Sequence, residues 1–145
     1  MTEPYSDAIV QEYEYPHPIE SVWTAITDAD AISQWLMVTD GFKPQVGAKF
    51  TLSQPGADWG NVEGEVLEVD EPNRIRYTWT NGPGFNTTVT LSLASTTGGT
   101  RLLLEHAGFE RVERREQFRP GAEWGWKQFL GANLPAVLDQ LAARA

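Results

Sequence analysis

The feature that most constrains this chain is a single long apolar stripe at its C-terminal end. Trp126, Phe129, Leu130, Leu134, Val137, Leu138 and Leu141 recur at helical spacing. Such a stripe must be buried against something, and the residues before it supply mostly strands. Pro135 interrupts the stripe. It removes one helical hydrogen bond and crowds the carbonyl four residues back, at Gly131. The stripe continues in phase beyond Pro135, so the reading is a kinked helix and not two separate ones.

Upstream, the periodicity changes several times. Ala8 to Tyr15 is rich in β-formers and reads as a strand, stopped by Pro16-His17-Pro18. Ile19, Val22, Trp23 and Ile26 then give the stripe of a short helix. Asp28 and Asp30 are N-cap candidates for a second short helix that buries Ala31, Ile32, Trp35 and Leu36. After Gly41 the strands resume, with Lys49 to Ser53, Val62 to Val69, and an alternation at Ile75, Tyr77 and Trp79. A second alternation follows at Val89, Leu91 and Leu93. Gly98-Gly99 then turns the chain into a last strand, where Leu102, Leu104 and His106 share one face. Between Val66 and Val69 the alternation is ambiguous, which points to a bulge. Consecutive strands joined by short turns favour an antiparallel sheet, and grouped helices favour an α+β fold over a doubly wound one.

A chain of 145 residues without cysteine reads as one domain, residues 1–145, with no disulfide, thiolate metal site or thiol nucleophile. Its 11 Lys and Arg against 20 Asp and Glu leave a net charge of −9, which repels phosphate backbones and anionic membranes. No nucleic acid and no membrane are therefore expected as partners. Neither a transmembrane run nor a signal pattern is present, so a soluble, cytoplasmic domain, monomeric or homodimeric, is the expectation. The sequence has no nucleophile elbow, phosphate loop or His-Glu-x-x-His, and no cofactor or metal is expected.

Several blocks carry a resemblance. They are "YPHPIESVWTAITDADAISQWL", "GEVLEVDEPNRIRYTW" from Gly64 to Trp79, "LEHAGF" from Leu104 to Phe109, and Gly125-Trp126 ahead of the leucines. Together they resemble the START-like or SRPBCC superfamily and, more narrowly, the family named after the activator of the heat-shock-protein-90 ATPase. The resemblance implies a helix-grip fold: a curved antiparallel sheet of about six or seven strands around the long C-terminal helix. Two short helices follow the first strand. It also implies a pocket between sheet and helix. The segment Glu110 to Ala122, with Arg119-Pro120-Gly121, departs from the family pattern at the pocket mouth.

Candidate pocket walls are Tyr77, Trp79, Leu91, Leu102, Leu104 and His106 from the strands, and Trp126, Phe129, Leu130 and Val137 from the helix. Trp59 and Phe85 are expected to flank the mouth. His106 and Tyr77 are the polar candidates for catalysis or ligand contact, although a histidine satisfied by a backbone or hydroxyl partner is the plainer reading. Trp23 and Trp35 read as core packing, and His17 as a turn residue.

Three functions compete: binding of a small apolar or aromatic molecule, a cyclase or aromatase-type enzyme, and activation of a chaperone ATPase. The last is not expected, because holding two surfaces of a large partner would use much of a small acidic domain.

Overall fold

The computed structural model describes residues 8–53, 61–81, 86–109 and 115–144. Strand β1 (Ile9–Tyr15) leads to helices α1 (Ile19–Thr27) and α2 (Ala29–Trp35). Six strands follow: β2 (Val38–Asp40), β3 (Lys49–Ser53), β4 (Val62–Asp70), β5 (Arg74–Thr80), β6 (Asn86–Thr96) and β7 (Gly99–Ala107). The C-terminal helix comprises α3 (Arg115–Gln128), a π-helical turn (Phe129–Asn133) and α4 (Leu134–Arg144). The strands form one seven-stranded antiparallel sheet in the order β1-β7-β6-β5-β4-β3-β2. This is the curved α+β helix-grip architecture.

Local chemistry sets the short helices. The Pro18 carbonyl accepts from the N–H groups of Ser21 and Val22 at the start of α1. Asp28 ends α1 and caps α2, where its carboxylate accepts from the Ala31 N–H at 3.0 Å. The Trp35 indole N–H then crosses to the Ala25 carbonyl at 2.8 Å and ties the two helices together. The β4–β5 register shifts between Val66 and Glu68, where the alternation had been ambiguous. Opposite Phe50, Gly64 leaves room for its ring, since a Cβ at Gly64 would lie 2.3 Å from that ring and 2.4 Å from the Thr78 carbonyl oxygen.

The three-residue strand β2 was not anticipated, because Val38–Asp40 is too short to show a period. The C-terminal helix also begins earlier than its apolar stripe, at Arg115, and runs through Pro120. Tertiary bonds hold this first half against β1: Arg119 donates to the Ala8 carbonyl at 3.1 Å, and the Gln11 side chain to the Glu123 carbonyl at 3.0 Å.

The interruption at Pro135 takes the form of a π turn. The Leu134 N–H bonds the Phe129 carbonyl, five residues back. In that register the Leu130 carbonyl would next receive the N–H of residue 135, which proline lacks. Instead the Tyr15 hydroxyl donates to the Leu130 carbonyl at 2.7 Å, a buried bond between strand β1 and the helix. Tyr15→Phe should therefore strand a buried carbonyl and cost about 1–3 kcal/mol in urea unfolding. A loss within error would show that Leu130 finds another donor.

Candidate functional site

The period-two alternation of the central strands turns one set of side chains toward the C-terminal helix. Tyr77 and Trp79 project from β5, Thr87, Val89 and Leu91 from β6, and Leu102, Leu104 and His106 from β7; all are buried. From the helix, Trp126, Leu130 and Val137 are buried and Phe129 is half-buried. Trp59 and Phe85 lie outside the described residues.

Two aromatic groups occupy this interior. One joins Trp79, His106, Phe109, Trp126 and Phe129. Ring centroids lie 5.3 Å apart for Trp79 and Trp126, 4.7 Å for His106 and Phe109, and 5.9 Å for Trp126 and Phe129. The other joins Tyr77 edge-on to Phe42 and Phe50, at 5.7 and 5.2 Å. Neither Phe42 nor Phe50 was singled out in the sequence. Phe42 sits in a connection with no period, and Phe50 carried only a strand signal.

His106 is fully buried and bonded on both sides of its ring. The Thr87 hydroxyl has one proton, which goes to the Trp79 carbonyl at 2.8 Å. Its oxygen must then accept from the His106 Nε2–H, at 2.7 Å. That leaves Nδ1 bare, and it accepts the Trp126 indole N–H at 3.0 Å. The chain from Trp126 through His106 and Thr87 to the Trp79 carbonyl thus fixes the neutral tautomer with Nε2 protonated. Burial pushes the imidazole pKa down to about 3. Thr87 was legible in principle, since it continues the inward alternation of Val89 and Leu91.

Tyr77 differs. Its ring is buried, and burial raises the phenol above its ordinary pKa, so it stays neutral. The hydroxyl makes no hydrogen bond among the described residues.

The sequence family described as Activator of Hsp90 ATPase homolog 1-like protein matches residues 16–139. The chain belongs to that family. Several solved structures resemble this Activator of Hsp90 ATPase homolog 1-like domain. Protein MLL2253 from Mesorhizobium loti is 36% identical, with a TM-score of 0.79 over 92% of this chain and 97% of that one. CalU16 from Micromonospora echinospora is 27% identical, with a TM-score of 0.74 over 94% of this chain and 79% of that one. DynU16, from the dynemicin biosynthetic locus, is 23% identical with a TM-score of 0.78, and this chain, matched over 94% of its length, spans 48% of it. The last shows the shared fold alone. No curated protein matches the sequence.

Two further features bear on function. An open cleft of about 460 Å³ lies on the outside between α1 and the β4–β5 turn, lined by Glu20, Trp23, Thr24, Glu71 and Pro72. It contains none of the sheet–helix candidates. No described helix is long and apolar enough to cross a membrane.

Proposed function

We propose that this domain binds a small apolar or aromatic molecule between the inner face of the sheet and the C-terminal helix. The observation that carries this reading is the convergence of Tyr77, Trp79, Trp126 and Phe129 on one apolar interior, a lining suited to an aromatic guest. Membership of a fold family that hosts many chemistries supports only the architecture; the site must supply the rest.

The bonding of His106 favours binding over proton transfer. A general base needs a free lone pair within reach of the substrate. In His106 the Nδ1 lone pair is taken by Trp126 and the Nε2 proton by Thr87. For the cyclase or aromatase-type alternative, the relevant observation is that DynU16 belongs to a biosynthetic locus. Under that alternative His106 would first have to release the Trp126 N–H from Nδ1.

Native mass spectrometry of freshly purified protein tests for a co-purifying small molecule. Binding is followed with the uncharged dye N-phenyl-1-naphthylamine, which should brighten on the folded protein and quench tryptophan emission. Trp79→Ala or Phe129→Ala should weaken the dye by at least about fivefold, and Trp23→Ala by no more than about twofold, after correction for the folded fraction. Equal losses in all three variants, or no binding to the wild type, would sink the reading.

A further inference from the structure

Nearly every buried polar side chain in this domain has a visible partner. The Thr27 hydroxyl donates to the Trp23 carbonyl at 2.7 Å, Thr100 to the His17 carbonyl at 2.7 Å, and Thr87 to the Trp79 carbonyl at 2.8 Å. Tyr15 donates to Leu130, and the indoles of Trp35 and Trp126 donate to Ala25 and His106. His106 is bonded at both nitrogens. Against this pattern two groups stand out. The Tyr77 hydroxyl and the Trp79 indole N–H have no hydrogen-bond partner among the described residues, although the residues are only 2% and 7% exposed. A buried donor left unpaired costs stability, so its presence calls for a partner that the described residues do not provide.

The two groups are also neighbours. Tyr77 and Trp79 are two apart on β5, so both point to its inner face, with their Cα atoms roughly 6–7 Å apart along the strand. They enter the same sheet–helix interior from adjacent positions. Trp79 touches the His106 and Trp126 rings, and Tyr77 touches Phe42 and Phe50. An indole N–H can only donate, and a phenol donates readily, so a matching guest must accept.

The charge of the guest follows from what surrounds these donors. Thr27, Thr87, Thr100 and His106 are the buried polar or charged side chains of the described residues, and none of them is a Lys or Arg. His106 is locked in its neutral form by Trp126 and Thr87. Among the described residues a carboxylate or phosphate would therefore be buried with no buried Lys or Arg beside it, which is far costlier than burying a neutral oxygen. The net charge of −9 acts in the same direction at longer range.

We infer that Tyr77 and Trp79 form the polar anchor of the site, and that its ligand is a neutral, largely apolar molecule carrying a carbonyl or similar acceptor oxygen. This rests on the binding function proposed above and narrows its ligand class.

The test uses three probes of one shape on the full chain: benzophenone, diphenylmethane and 4-benzoylbenzoate, each displacing N-phenyl-1-naphthylamine. Benzophenone should bind wild type about tenfold more tightly than diphenylmethane, the gain expected of one hydrogen bond to a buried donor. It should exceed 4-benzoylbenzoate by at least as much. Tyr77→Phe should bring benzophenone to within about twofold of diphenylmethane while leaving diphenylmethane unchanged. Its urea midpoint should equal or exceed the wild-type value, since an unpaired hydroxyl has been removed.

A carbonyl preference that survives Tyr77→Phe overturns the anchor, as does a lowered midpoint, which would give the hydroxyl a partner within the protein. Equal binding of the carboxylate overturns the neutral class. In each of these cases the apolar site itself survives. Failure of the dye and all three probes to bind wild type rejects the anchor and the binding function together.

Discussion

Acidification from pH 7 to pH 4 should cost this protein about 3 kcal/mol through His106 alone, judged by urea unfolding at each pH. The sign follows from which state takes the proton. In the folded chain burial lowers the His106 pKa to about 3, against an ordinary value of 6.5. Above pH 6.5 the ring is neutral in both states, and its contribution is fully present. As the pH falls below 6.5 the unfolded chain binds a proton that the folded chain refuses. Stability then drops by about 1.4 kcal/mol per pH unit until the folded ring titrates near pH 3. Carboxylates add their own acid dependence, so the informative quantity is a difference between proteins. His106→Asn keeps an oxygen able to accept from Trp126 but loses the link to Thr87, so it should cost about 1–3 kcal/mol at pH 7. Its stability should fall less steeply between pH 6 and pH 4, by about one proton's worth. Parallel curves for the two proteins would mean that His106 takes up its proton without unfolding.

Much of this arrangement was legible before any coordinates. Alternation put Tyr77 with Trp79, and Leu102 and Leu104 with His106, on inward faces, because a strand that buries one face must repeat every two residues. Asp28 and Asp30 both declared themselves cap candidates by type and place, and Asp28 is the one that caps, with Asp30 inside the first turn. The reading of His106 as a histidine satisfied by a backbone or hydroxyl partner meets the Thr87 hydroxyl on one side, while the Trp126 indole on the other was not foreseen. What stayed hidden depends on residues far apart in the chain. The Tyr15 bond to Leu130 spans 115 positions, and nothing near Tyr15 announces the missing donor at Pro135. The first half of the C-terminal helix was obscured for a similar reason. Arg119-Pro120-Gly121 is poor helix sequence by local propensity, and contacts to Ala8 and Gln11 from across the fold override it. Of the aromatic pair Phe42 and Phe50, the first was missed because a ring in an aperiodic connection carries no directional signal, and the second because a strand signal alone does not say which ring its residue meets. That the Tyr77 hydroxyl has no hydrogen-bond partner among the described residues could not be read at all, since a tyrosine's hydroxyl partner is a property of the packed state.

Trp126→Ala should be among the most damaging single substitutions in the domain, at a cost of at least about 4 kcal/mol. Truncating a buried aromatic costs roughly 3–5 kcal/mol through lost burial and the cavity left behind. Trp126 is 2% exposed and touches the rings of Trp79, His106 and Phe129, so its removal takes packing from all three. The substitution also strips Nδ1 of His106 of its only donor in the described structure, a further penalty of about 1–3 kcal/mol. These two contributions can be separated. Trp126→Phe retains most of the ring but not the N–H, so it should lose about 1–3 kcal/mol at pH 7. It should also change the response to acid. With the indole gone, the Nδ1 lone pair is free to accept a proton, so the folded-state pKa of His106 should rise, although burial, the main cause of its depression, still holds it below 6.5. The stability lost between pH 7 and pH 4 should then shrink relative to wild type, even though the variant starts out less stable. Coupling with Thr87→Val gives a second handle: each change breaks one link of the same chain through His106, so their costs should depart from additivity by more than about 0.5 kcal/mol. Additive costs together with an unchanged acid response would show that Trp126 stabilises the domain by its ring alone and that its N–H does not hold the histidine neutral.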